Sequence, residues 1–253
     1  MMKRKTKFTI LVIVILLLLT NVVYAESNFS LLDKTITVGN NEDPGNYVFS
    51  LKLLLLLTIL SLAPSILIMM TSFTRILIVL SLIRNALGLQ QTPPNQVIIG
   101  IALFLTFFIM SPIAKEINNE AVQPYINSEI TQEVAIDRAM KPIRDFMFKQ
   151  TRDKDLSLFL SLKGISNVSS LDEIPTHVLI PAFIISELKT AFQIGFIIYI
   201  PFLVIDMVVA STLMAMGMMM LPPVIISLPF KLLLFVLVDG WNLIAKSLIL
   251  GFK

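Results

Sequence analysis

The chain has 253 residues, of which 56% are hydrophobic and only 15% charged, and its mean hydropathy is +0.85. Soluble domains carry about 25% charged residues, so an ordinary soluble globule is excluded, and a membrane protein or an unusually apolar assembly is left. The net charge of +3 does not indicate a nucleic-acid surface: Lys3, Arg4, Lys5 and Lys7 lie in an acid-free opening of 25 residues, and of the 20 basic residues the other 16 face 17 acidic ones.

The opening, "MMKRKTKFTILVIVILLLLTNVVYA", combines a basic start, an apolar run from Phe8 to Leu19 and the small residue Ala25 at a cleavage position. That is the layout of a secretory signal peptide over 1–25, cut after Ala25. The alternative is a retained transmembrane helix, for which the run is short, since a span needs about 20 apolar residues. A polar segment, 26–46, follows with "NNEDPGN" as a loop. Residues 47–114 read as a first hydrophobic hairpin region, with apolar segments from Tyr47 to near Met70 and over 97–114. Between them, "TSFTRILIVLSLIRNALGLQQTPPNQ" (71–96) carries Arg75 and Arg84 and no acid, and it predicts a helix stopped by Gly88 and Pro93–Pro94.

Residues 115–180 change character, with ten acidic and eight basic residues and helical spacing at Ile136, Met140, Ile143 and Met147. They read as a small, water-exposed helical domain in which Pro142 kinks or splits a helix. From Leu179 to Leu221 the chain is almost continuously apolar for 43 residues, with a bend expected at Pro201. After Pro222–Pro223 comes a last segment, 224–252, so that 181–253 form a second hydrophobic hairpin. Nothing alternates like a strand, and the fold class is all-α: membrane-associated helical hairpins with a small exposed helical domain. A cleaved leader puts the mature N-terminus outside. The acid-free stretch with Arg75 and Arg84 then lies inside, as positive loops do, with 115–180 outside and the turn near Met219 inside.

The second hairpin is interrupted by Glu187, Lys189, Asp206, Lys231, Asp239 and Lys246. Charges in hydrocarbon are costly and face a partner, a cavity or water. Lysines near helix ends can snorkel, which suits Lys246 and Lys189 but not the short carboxylates of Asp206 and Asp239. Counted from Met219, Asp206 is 13 residues before the turn and Lys231 is 12 after it. Both therefore stand ~18–20 Å from the turn and can pair across the hairpin. Glu187, 32 residues before the turn, is ~48 Å away and out of reach of Lys231 in a straight hairpin. It is expected to find Lys246 or a base on another subunit, such as a staggered neighbour's Lys231. This predicts an oligomeric, largely protein-buried helical assembly.

"MAMGMMMLPP" (214–223) sets Met214, Met216, Met218, Met219 and Met220 within seven positions, around Gly217 and before Pro222 and Pro223. Methionine is unbranched and polarizable, so the group is either core filler or a pliable seal that closes on itself and opens around something variable. Gly217 lets the turn flex, and the prolines set where the next helix begins. Little here supports catalysis. There is no cysteine, the one histidine, His177, stands alone, and no phosphate loop or Ser/His/Asp set occurs. No enzyme activity, cofactor or metal is expected.

"PAFIISELKTAFQIGF" (181–196) and "PFLVIDMVVASTLMAMGMMMLPP" (201–223) resemble the two signature blocks of the FliP family, and 70–96 and "LPFKLLLFVLVDGWNLI" (228–244) are similar to it too. The resemblance covers nearly all of 47–250. It implies a core component of the flagellar type III protein export gate at the basal body in the bacterial inner membrane. It further implies a pentamer-like homo-oligomer with FliQ and FliR, beside FlhA and FlhB, around a channel for unfolded flagellar subunits. In such a gate the methionine turn is the gasket, the hairpins pack on one another above the bilayer, and their charges serve assembly. The alternatives are an injectisome export-gate homologue and a small-solute or ion transporter. The latter often shows internal repeats, which are not evident here.

Overall fold

In the computed structural model, residues 44–165, 170–218 and 220–252 are described, and among them the regular elements are helices, with no strand. The leader expected at 1–25 and most of the polar segment 26–46 lie outside the described residues. The chain divides into two units, residues 1–54 and 55–253; α1 (Pro44–Met69) begins in the first, and every later element belongs to the second. Leu55, Leu56, Leu57, Ile59 and Leu60 stand exposed along α1. A helix that is apolar all round needs lipid or protein about it.

α2 (Phe73–Ala86) is the opposite case. Its apolar residues Phe73, Ile76, Val79, Leu80 and Ile83 are all buried, a spacing of three and four that makes one broad face. α3 (Asn95–Ile117) returns along it and sets Ile98 and Ala102 in the same core. The helix does not stop with the apolar letters at 114. A π-helical turn (Asn118–Val122) leads into α4 (Gln123–Ile126), giving one run of 32 residues from Asn95 to Ile126.

The charged stretch is helical, with α5 (Gln132–Gln150) and α6 (Asp153–Leu162). Pro142, expected to kink or split a helix, does not split it, for α5 runs unbroken over 19 residues. A proline removes one N–H and crowds one carbonyl; the remaining bonds and the burial of Pro142, Phe146 and Met147 hold the helix together. Of the expected stripe, Met147 is buried, Met140 and Ile143 are half-buried, and Ile136 is exposed.

α7 (Thr176–Ala215) runs 40 residues through Pro181 and Pro201 without a break. α8 (Pro223–Leu237) folds back on it, and α9 (Gly240–Leu250) leaves α8 at 62°. α2 and α7 run in the same direction: Arg75 meets Glu187, and further along, Leu82 lies against Gly195. Around them α2, α3, α7, α8 and α9 share one apolar core. Met70, Phe146, Met147, Leu179 and Phe183 form a second one, where α5 meets the first half of α7. Phe252, after α9, packs against both.

The approach of α2 to α7 depends on Gly195. A Cβ there would stand 2.2 Å from Leu82 Cδ1 and 3.2 Å from its Cβ and Cγ, so rotating the leucine tip does not clear it. Gly195→Val is expected to lose ~1–3 kcal/mol by overpacking, read as a lower melting midpoint in detergent. An unchanged midpoint would mean that the two helices separate there at no cost.

Candidate functional site

The chain end of α7 is built by its letters. Gly217 adopts φ +76, a left-handed conformation that costs glycine little. Its N–H donates to the Met214 carbonyl at 3.0 Å, and the Met218 N–H donates to Leu213 at 2.9 Å. These two bonds are the Schellman closure of a helix. Pro222 and Pro223 follow, and α8 begins on Pro223, where a missing N–H is harmless. The turn presents its methionines outward: Met220 is 98% exposed, and Met214, Met216 and Met218 are between 43% and 64% exposed. Met214 and Met216 thus do not pack beneath the turn within the chain. Met219 lies outside the described residues.

Below the turn, Lys231 Nζ lies 2.6 Å from Asp206 Oδ2 and also donates to the Ala86 carbonyl at 3.2 Å. The Ser227 hydroxyl donates to Asp206 Oδ1 at 2.5 Å. One buried ammonium therefore ties α8 to α7 and to the end of α2.

A second knot lies deeper. The Arg75 guanidinium forms a two-pronged pair with Glu187, one prong being Nε to Oε2 at 2.9 Å. It also donates to Gln150 Oε1 at 2.9 Å and to the Gly251 carbonyl at 3.1 Å, and the Phe252 ring covers it at 3.9 Å. Two expectations are corrected by this. Glu187 has its base within the chain, not on another subunit, because the height count weighed only the bases of its own hairpin. Arg75 is not in an inside loop but buried in a helix, while Arg84 donates to the Pro93 carbonyl and to Asn95 Oδ1 at 2.6 Å. Arg75, buried and paired, therefore gives no support to the orientation expected from the leader.

A third polar cluster, not singled out from sequence, joins α6 to α7: the Ser186 hydroxyl donates to Asp155 Oδ2 at 2.7 Å and accepts from the Arg152 N–H at 3.1 Å. Its signal was the Ser186–Glu187 pair inside an apolar run. Asp239, expected as a buried charge, is exposed at the α8–α9 bend, and Lys189 and Lys246 are exposed as well. His177 is exposed in the first turn of α7. Among the described residues no three His, Cys, Asp or Glu side chains gather as a metal site.

The arrangement is a helical frame locked by internal charge pairs, carrying a soft, exposed tip. The run Asn95–Ile126 and α7 are long and apolar enough to cross a membrane, and the bent α8–α9 pair would make a third span. A profile of the FliP family matches residues 56–248. The chain belongs to the FliP family. It is 59% identical to the flagellar biosynthetic protein FliP of Bacillus subtilis (strain 168), over 87% of this chain and 100% of that one. It is 57% identical to that of Pectobacterium carotovorum subsp. carotovorum (82% and 80% covered) and 56% identical to that of Aquifex aeolicus (83% and 88% covered). The matched region takes in both ion pairs and the methionine turn, while Gly251 and Phe252 lie beyond it.

Proposed function

We propose that this chain is a component of the flagellar export apparatus in the bacterial inner membrane, at the flagellar basal body. Several copies, with FliQ and FliR and beside FlhA and FlhB, surround a channel through which unfolded flagellar subunits pass. The methionine turn is its seal. The observation that carries this reading is the exposed methionine tip on a hairpin whose buried charges, Glu187 and Lys231, are paired within the chain. Unfolded chains present many side-chain shapes, and an empty passage must still stop ions. Unbranched thioethers close a ring and yield, whereas Val or Ile, stiff at χ1, would do so less well. The flagellar relatives favour the flagellar branch over an injectisome. A solute transporter would need buried charge free to bind, whereas Glu187 and Lys231 already have partners.

In-frame deletion of the gene is expected to abolish flagella and the secretion of flagellar subunits, with recovery from a plasmid copy. Flagella intact but another secretion activity lost would move the reading to an injectisome. Detergent-extracted protein is expected to run far above the 28.3 kDa of one chain; a monomer that runs at that size would favour the transporter.

A further inference from the structure

We propose that the methionine tip is a site of reversible oxidation, at which a water-borne oxidant of the hypochlorous acid class turns the seal into a leak. The proposal deepens the function given above and rests on the tip sealing a passage.

The chain has no cysteine, so its thioethers are the only sulfur such an oxidant can meet. They differ widely in access. Met147 is fully buried and Met70 nearly so, whereas Met220 is 98% exposed and Met216 is 64% exposed. Met69 and Met207 are exposed too, but each stands in an apolar helix that needs lipid or protein about it. Oxidation follows exposure to water, and an aqueous passage brings the oxidant to the tip. In the step itself the thioether sulfur gives up an electron pair and gains one oxygen. Chlorine takes the two electrons and leaves as chloride, and a proton is released. An apolar, flexible side chain becomes a polar one.

The surroundings of the tip hold nothing to answer that polarity. Between Asp206 and Lys231 no residue is charged. The Ser211 and Thr212 hydroxyls donate to the Met207 and Val209 carbonyls, each at 2.8 Å, and the Ser227 hydroxyl is taken by Asp206. The N–H groups of Met216, Gly217, Met218 and Leu221 all donate to carbonyls of their own turn. A sulfoxide oxygen set among these groups finds its neighbours' donors already spent. A polar group without a partner is costly to keep dry, and water is what satisfies it. Repeated around the passage, thioethers that exclude water become acceptors that hold it. Enzymatic reduction of the sulfoxides restores the thioethers.

The test uses the assembled complex in membrane vesicles, treated with dilute hypochlorous acid while peptide masses and small-ion leak are followed together. A gain of about 16 Da per methionine is expected first on the peptide holding residues 214–220, with Met147 unmodified. The leak is expected to rise severalfold and to fall back when methionine sulfoxide reductases for both epimers are added with a thiol reductant. That recovery assigns the leak to sulfur and not to other oxidised groups. With Met214, Met216, Met218, Met219 and Met220 all changed to Leu, treatment is expected to leave the leak at its starting level, whatever that level is. Oxidation of Met69, Met147 or Met207 ahead of the tip would overturn the site. An oxidised tip with no rise in leak would overturn the proposal, and it would leave the seal standing if Met218, Met219 and Met220 changed to Ala still leak. If that variant is tight as well, the seal falls and the proposal with it.

Discussion

Changing Met218, Met219 and Met220 together to Ala is expected to leave the yield of the assembled complex near that of the wild type and to raise small-ion leakage across the membrane. If these residues filled a core, each truncation would leave a cavity at ~2–5 kcal/mol per site, and the triple variant would not assemble. Met218 and Met220 are exposed in the folded chain, so their truncation removes little packing within it. What goes is the soft material at the tip. The measurements are complex yield and the leak of a small-ion indicator in cells or vesicles. Collapsed yield, with no leak through the complexes that survive, would return the methionines to the core.

Glu187→Ala is expected to be the most damaging single change in the hairpin. Removing one partner of a buried pair costs ~3–5 kcal/mol, because the other charge stays uncompensated, and Arg75 is almost wholly shielded from water where it lies. The loss should appear as a fall in complex yield and in melting midpoint. Replacing Arg75 and Glu187 together by Met should recover part of it, since an apolar pair of similar volume is tolerated where half an ion pair is not. Lys231→Ala should act in the same direction but less strongly, because Asp206 is half-buried, keeps the Ser227 hydroxyl and can take water. Normal assembly and export by Glu187→Ala would sink the structural role given to this pair.

Much of the fold is legible in the letters because the signals are local. Long apolar runs ending in Gly88, Pro93–Pro94, Gly217 and Pro222–Pro223 mark helices and their stops, and no alternation competes with them. The heights of Asp206 and Lys231 follow from a rise per residue and one turn, and the structure sets them 2.6 Å apart. Distant matches are a different matter. Nothing within 71–96 says that Arg75 has a carboxylate 112 residues further on, so the helix is predicted there but the arginine on it reads as a positive charge facing the inner side of the membrane, not as half of a buried pair. The 62° bend after α8 is missed for a different, local reason. Residues 224–252 read as one segment although the Asp239–Gly240 dipeptide is a turn signal; the helix breaks there with Asp239 left-handed, and the close approach of Phe235 to Gly240 is what the sequence does not display.

The set of groups around Arg75 also gives this chain a timetable. Glu187 is made 112 residues after Arg75, and the Gly251 carbonyl 176 residues after it. At ~5–20 residues per second of synthesis, the last of these groups arrives roughly 10–35 s after the arginine has left the ribosome. Until Glu187 is made the guanidinium has only water or the insertion machinery for its charge, and α2 cannot settle against α7; the Gly251 carbonyl and the Phe252 ring complete its surroundings last. The core that begins at the second helix is therefore closed by the final one. A newborn copy stays open until the end of its own translation, and only a finished chain can offer its neighbours a finished surface.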